Sequence, residues 1–265
     1  MSFAMAGQLK MHYTELGDGD PILFIPGGGM DYSCWLPLAD FLKTNRRCIM
    51  LDNRGVGQTE KPTPPYSMSG MAQDALKILD SLEIDACHVV GHSMGGYIAQ
   101  EMALAAGKRC RSLTLIGSGT GPTEVTIFLM ELRMQLARKL DRRLFLESVA
   151  GMMFSPATFE HRRELVDGFI EGGEKNPQPQ PVYAYEGHLN ACIAFSSRDR
   201  YSAIQSPTLV MVGDSDLITP PGQARELARQ LSHKEAVTIA DAGHMVLVEQ
   251  PRILAQEMEA FFGSL

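Results

Sequence analysis

Val89-Val90-Gly91-His92-Ser93-Met94-Gly95-Gly96-Tyr97-Ile98-Ala99 joins a short β-branched run to a helical segment through the pattern G-x-S-x-G. A serine in so sharp a strand-to-helix turn sits in strained backbone geometry. Strand and helix then pass so closely that the residues two before and two after it have no room for a Cβ. Gly91 and Gly95 meet that demand. The turn holds the Ser93 hydroxyl clear of the sheet, at the positive end of the next helix, where developing negative charge is stabilised.

Outward from this turn, runs rich in Val, Ile and Leu alternate with stretches of helical periodicity. That pattern marks an α/β fold, a mostly parallel eight-stranded sheet with helices on both faces. Strands are expected at Ser2–Ala6, Leu9–Glu15, Pro21–Ile25, Arg47–Leu51, Cys87–Val90, Leu113–Ile116, Thr208–Val212 and Val237–Ala240. Gly7-Gln8 and Gly17-Asp18-Gly19-Asp20 are too short to hold a crossover helix, so the sheet is expected to begin as an antiparallel meander. Later connections have room for helices near Trp35–Lys43, Met68–Leu82, Met94–Ala106, Gly222–Leu231 and Pro251–Phe262.

The rhythm breaks after Gly121, where no strand pattern appears until about Ser202 and apolar residues recur at Val125, Leu129, Leu132, Leu136 and Leu140. Steps of four and three are helical. Ser155-Pro156 has the form of an N-cap followed by proline at the first helical position, and Pro177, Pro179 and Pro181 precede a helix running to about Ser197. Residues 121–202 are therefore expected to be a helical lid over the carboxyl ends of the strands. The core then comprises residues 1–120 and 203–265. Met130, Met134, Met152 and Met153, with Phe128, Phe145 and Phe154, could line a pocket there or pack as core.

A serine hydroxyl is a poor nucleophile until a base takes its proton, and the base needs a carboxylate to fix its tautomer. Asp241-Ala242-Gly243-His244 follows the last expected strand, which makes His244 the candidate base. The acid should follow the preceding strand, where Asp214 and Asp216 compete. The remaining histidines read blandly. His92 lies inside the turn and His88 in a strand; His12, His161, His188 and His233 have no chemical neighbourhood in sequence. His88 and His92 straddle a strand and a turn rather than one helix face, so no metal is expected.

These motifs, in this order, resemble the serine-nucleophile branch of the α/β-hydrolase superfamily over nearly the whole chain outside the insertion. Pro26-Gly27-Gly28-Gly29-Met30 with Trp35 resembles the family's His-Gly-x-x oxyanion loop, with proline in place of the histidine. Asp52-Asn53-Arg54-Gly55-Val56-Gly57-Gln58-Thr59 resembles its D-x-R-G-x-G-x-S turn, in which Asp52 and Arg54 are expected to be structural. The run from Gly213 to Pro220 resembles G-x-x-D-x-x-x-P, and Gly243-His244 with Glu249-Gln250-Pro251 completes the pattern. The resemblance implies Asp216 as the acid. It also implies an oxyanion hole from the backbone N–H groups of Met94 and Gly28, with Gly29 as the alternative register, and no cofactor.

Serine at position 93 excludes the haloalkane dehalogenase and epoxide hydrolase branches, which need aspartate there. Esterases, lactonases, carbon–carbon bond hydrolases, amidases and cofactor-free perhydrolases share the triad. Hydrolysis of a small carboxylic ester or lactone through an acyl-enzyme is the leading expectation. The length, the single helical insertion and the run Asn190 to Pro207 resemble bacterial enol-lactone hydrolases and ring-fission-product hydrolases. One alternative is therefore cleavage of a ring-fission-type diketone acid, for whose carboxylate Arg133, Arg138, Arg162 and Arg163 are available, although each fits a solvated face equally well. The other is a ligand-sensing relative with slow or no turnover.

Composition narrows the partners. The chain has 265 residues, 45% hydrophobic, with 24 basic and 31 acidic side chains and a net charge of −7. This balance argues against nucleic acid or an anionic membrane and for a small-molecule substrate. No apolar run approaches a membrane span, and Met1 to Lys10 lacks the form of a signal peptide, so a cytoplasmic location is expected. Five cysteines without a CxxC pair fit reduced, buried thiols. Nothing in the sequence marks an oligomer interface.

Overall fold

The computed structural model describes residues 2–231 and 236–265, so His233 lies outside the described residues. Eight strands form one sheet: β1 (Ser2–Ala6), β2 (Leu9–Leu16), β3 (Asp20–Ile25), β4 (Arg46–Leu51), β5 (Cys87–His92), β6 (Cys110–Ile116), β7 (Thr208–Gly213) and β8 (Val237–Ile239). Their spatial order is β1-β2-β4-β3-β5-β6-β7-β8. The first two pairings, β1 with β2 and β2 with β4, are antiparallel, and every later pairing is parallel.

The expected opening meander is corrected in one respect: β2 does not pair with β3, because β4 lies between them. Burial explains the choice. Ile22 to Ile25 of β3 are fully buried, the signature of a central strand covered on both faces, whereas β1 alternates in exposure and suits an edge. The Gly17–Asp20 connection steps across the start of β4. A Cβ on Gly17, whose φ is +76°, would stand 2.2 Å from the Lys43 carbonyl oxygen, so only glycine lets the chain cross there.

In chain order the helices are α1 (Leu36–Leu42), α2 (Met68–Ser81), α3 (Met94–Ala106), α4 (Glu124–Lys139), α5 (Arg142–Met153), α6 (Pro156–His161), α7 (Arg163–Lys175), α8 (Val182–Ile193), α9 (Pro221–Leu231), α10 (Val246–Glu249) and α11 (Pro251–Phe262). One sheet face packs α2, α3 and α9 through Leu79, Ile98 and Leu227 against Leu23, Val89 and Leu113. The other packs α1 and α11 through Leu38 and Met258 against Phe24, Met50 and Val90.

Helices α4 to α8 follow β6 without an intervening strand before β7. Local chemistry starts three of them: the side chains of Thr123, Asp141 and Ser155 accept from the amides of Thr126, Leu144 and Thr158. The leucine stripe of α4 is not its most buried face. Val125 is 65% exposed, while Thr126, Met130 and Arg133 are the buried residues. Periodicity identified a helix but not which side would meet the protein. Helix α8 ends at Ile193, short of Ser197, because the Ser197 amide bonds back to the Thr120 carbonyl at 2.9 Å and its hydroxyl to Gln100.

Candidate active site

Ser93 follows β5 directly and caps α3, with φ 54° and ψ −119°. A side chain in that region is strained, and the surroundings enforce it. The Ser93 amide donates to the Ile116 carbonyl at 2.9 Å, and its own carbonyl accepts from Gly96 and from the Ser118 hydroxyl. A Cβ on Gly91 would lie 2.2 Å from the Gly95 carbonyl, and one on Gly95 would lie 1.9 Å from that of Ile25. Only glycine permits either approach. The Met94 amide stands in the first turn of α3, where helical N–H groups lack partners within the helix.

The loop after β7 carries both candidate acids, and hydrogen bonding separates them. Asp216 is 2% exposed; its Oδ1 accepts from the amides of Ile218 and Thr219, each at 2.8 Å, and its Oδ2 accepts from His244 Nδ1 at 2.8 Å. Asp214 is exposed and accepts from the amides of Asp241 and Ala242, tying the β7 loop to the β8 loop. The carboxylate of Asp216 can only accept, so His244 Nδ1 carries the proton and Nε2 is left with its lone pair free.

His244 is held from three sides. The Gly243 amide donates to Glu249 Oε2 at 2.7 Å, the Met245 amide to the Met153 carbonyl at 2.9 Å, and His92 Nε2 to the His244 carbonyl at 2.8 Å. Glu249 also accepts from the Ser155 amide and the Thr158 hydroxyl through Oε1, fastening the histidine loop to α6.

Pro26 leaves the Gly27–Gly29 loop without the histidine that such loops often carry, and a histidine from elsewhere takes over. His188 of α8 is fully buried; its Nε2 donates to the Arg54 carbonyl at 2.7 Å, and its Nδ1 accepts from the Gly29 amide at 3.3 Å and from Gln180. Asn53 braces the same loop through the Pro26 carbonyl at 3.0 Å. The Gly29 amide is engaged by His188 and the Met30 amide is bonded to the Gly27 carbonyl, so the two donors that follow Gly28 are both committed. No sequence signal points to His188, because the loop groups it braces are 134 and 159 residues away.

Ser93, His244, Met94 and Gly28 border one small space of about 20 Å³, with Met30, Met130, Arg133, Met153, Leu189, Cys192 and Ile218. This holds roughly one water. Gly28, Met30, Arg133 and Met153 also border an outer chamber of about 430 Å³, walled by Phe145, Leu146, Val149 and Phe169. Methionines at the constriction can move to admit a ligand.

Asp52 and Arg54 stand apart from this space in structural networks. Asp52 accepts from Tyr32 and Gln58 amides and pairs with His12 at 2.9 Å, and Arg54 forms a two-pronged pair with Asp74. Among the described residues, no cluster of three His, Cys, Asp or Glu could hold a metal, and no helix is long and apolar enough to cross a membrane.

Burial depresses two of the bracing histidines, His188 to about 4 and His92 to about 3. The free side chain titrates near 6.5. On acidification from pH 6.5 to 4 the unfolded chain takes up protons that the native protein refuses, so this stability is complete above about pH 6.5 and is lost below it. The thermal midpoint is expected to hold from pH 8 to 7 and to fall by at least several degrees by pH 4.5, as about 1 kcal/mol moves it by 2–4 °C in a chain of this size. Calorimetry across that range checks it; a flat midpoint to pH 4.5 would refute it.

Residues 20–251 match the family model described as alpha/beta hydrolase fold. The chain is 28% identical to the Mycobacterium tuberculosis protein named "Putative non-heme bromoperoxidase BpoC", covering 97% of this chain and 99% of that one. It is 25% identical to 3-oxoadipate enol-lactonase 2 of Acinetobacter baylyi, over 96% of this chain and 94% of that one. Among solved structures, a thermophilic esterase from Thermogutta terrifontis superposes with a TM-score of 0.87 at 25% identity, covering 98% of this chain and 96% of that one.

Proposed function

The chain belongs to the alpha/beta hydrolase fold family, and on that footing we propose that it is a serine hydrolase of small carboxylic esters or lactones. The observation that carries this reading is the His244 Nδ1 to Asp216 contact of 2.8 Å, which leaves Nε2 unprotonated in the wall of the space that also holds Ser93.

In the proposed mechanism, Ser93 Oγ attacks the substrate carbonyl carbon while His244 Nε2 takes its proton. The carbonyl oxygen becomes an oxyanion held by the amides of Met94 and Gly28. As the tetrahedral species collapses, the carbon–oxygen bond to the leaving group breaks and His244 returns the proton to the departing alkoxide. A water molecule, deprotonated by His244, then attacks the acyl-enzyme; the acid is released and Ser93 regains its proton. Asp216 orients His244 and stabilises its charged form throughout. No step calls on a cofactor. Names among the relatives support hydrolysis and an enol-lactone or ester substrate without fixing the bond cleaved.

Residues 121–202 act as a lid in this reading, set on a core of residues 1–120 and 203–265. Support comes from Met130, Arg133, Met153, Leu189 and Cys192, all within that segment and all facing the space at Ser93. The negative charge and unpaired cysteines fit a cytoplasmic enzyme. The test is covalent: a fluorophosphonate probe is expected to label the purified protein at a single peptide containing Ser93, read by mass spectrometry, alongside release of nitrophenol from 4-nitrophenyl acetate. Wild-type protein that neither labels nor releases nitrophenol would sink the proposal.

A further inference from the structure

The buried face of α4 presents Thr126, Met130 and Arg133. Arg133 is 6% exposed, yet its Nε has no hydrogen-bond partner and, among the described residues, no carboxylate lies within ion-pairing distance. The other three candidate arginines are committed: Arg138 to Glu186, Arg162 to the Glu249 carbonyl, and Arg163 to Asp167. Arg142, on the chamber wall, donates to the Gly173 carbonyl at 2.6 Å. Tyr185 accompanies Arg133, with its ring centre 5.6 Å from the guanidinium.

Neighbouring groups do not neutralise it. Burial pushes the Cys192 thiol up to about 12 and raises the Tyr185 phenol, and in both cases the Arg133 charge opposes the shift without reversing it. A guanidinium cannot shed its proton, and an unpaired charge withdrawn from water is strongly unfavourable. Such a residue is retained where an incoming anion supplies the missing partner. Arg133 borders both the space at Ser93 and the outer chamber, whereas the chamber's other charged residues, Asp31, Arg142 and Glu164, do not reach the space at Ser93. Arg133 is thus the charged side chain that stands beside Ser93 in that space, with no carboxylate bordering it.

We propose that the substrate carries a carboxylate on its acyl portion, and that Arg133 binds it so that the ester or lactone carbonyl reaches Ser93. This deepens the serine-hydrolase reading and rests on it. Arginine suits the task because its planar fork meets both carboxylate oxygens at once. The proposal selects among esters and lactones by charge.

The experiment compares two nitrophenyl esters of equal shape: 4-nitrophenyl hemiglutarate, which is anionic, and 4-nitrophenyl 5-methylhexanoate, in which an isopropyl group replaces the carboxylate. Wild-type kcat/KM is expected to favour the anionic ester. Arg133→Met should cut that preference by at least about 30-fold, chiefly through KM, with Arg133→Lys intermediate. Arg133→Met should also raise the thermal midpoint of the ligand-free protein by about 2–4 °C, because it removes an unpaired buried charge. A purely structural arginine would give the opposite sign. In parallel, calorimetry measures glutarate binding to Ser93→Ala protein with and without Arg133→Met. Arginine-dependent glutarate binding without turnover of either ester would uphold the anion site and defeat the serine-hydrolase reading. Equal turnover of both esters with no glutarate binding, or a falling midpoint with both esters equally impaired in Arg133→Met, would overturn the proposal.

Discussion

Replacing Ser93 with alanine is expected to lower kcat for 4-nitrophenyl acetate by about 10⁴ to 10⁶ and to abolish fluorophosphonate labelling. The loss is this large because, among the described residues, no other Ser, Thr or Tyr borders the space at Ser93. Ser118 donates to the Ser93 carbonyl, and its side chain is therefore engaged in holding the turn. Stability should move by less than about 1 kcal/mol, since alanine keeps the Cβ and the same backbone penalty at φ 54°. Ser93→Gly separates backbone strain from chemistry. It should be as inactive as alanine yet more stable than wild type by roughly 1–2 kcal/mol, because glycine occupies that region without cost. Paired denaturation curves and initial rates read both quantities. Residual activity within tenfold of wild type in Ser93→Ala would remove the nucleophile from Ser93 altogether.

What the sequence disclosed and what it withheld divide by range. The strand, the turn and the start of α3 are local, and Gly91, Ser93 and Gly95 announce them because steric demand falls on neighbours two residues away. Strand positions followed from apolar runs, yet the insertion of β4 between β2 and β3 did not. Connection length limits which strands can neighbour one another, while burial on both faces decides which one takes the centre. His188 was invisible for a related reason. A histidine in an apolar helix has no signature of its own, and its role as brace exists only once α8 lies across the Gly27–Gly29 loop. Arg133 is one of four arginines that the sequence offers as carboxylate binders; the fold distinguishes it by leaving it without the partners that Arg138, Arg162 and Arg163 possess. The leucine stripe of α4 erred in the opposite direction, since a regular period states that a helix exists and leaves its facing to tertiary contacts.

Asp216→Asn is expected to reduce kcat by about 10³ to 10⁴, whereas Asp214→Asn should cost less than about tenfold. The two residues sit two apart on one loop, so the contrast tests geometry rather than proximity. The asparagine oxygen can retain the amides of Ile218 and Thr219, which now donate to Asp216 Oδ1. That places the NH₂ group where Oδ2 meets His244 Nδ1. An amide nitrogen donates, so Nδ1 must become the acceptor and the ring proton must move to Nε2. His244 then faces Ser93 with a proton already in place and cannot receive another while neutral. The side chain keeps its shape and the loop its bonds, so the thermal midpoint at neutral pH should fall far less than activity does. Asp214 accepts from the Asp241 and Ala242 amides at 3.2 and 3.3 Å, outside the space at Ser93. Weakening those bonds should appear mainly as about 1 kcal/mol of lost stability. Rates and melts of both variants, measured side by side at pH 7.5, give the comparison. A larger rate loss for Asp214→Asn would transfer the acid's role to that residue and require the His244 ring to turn from the partner it has in this structure.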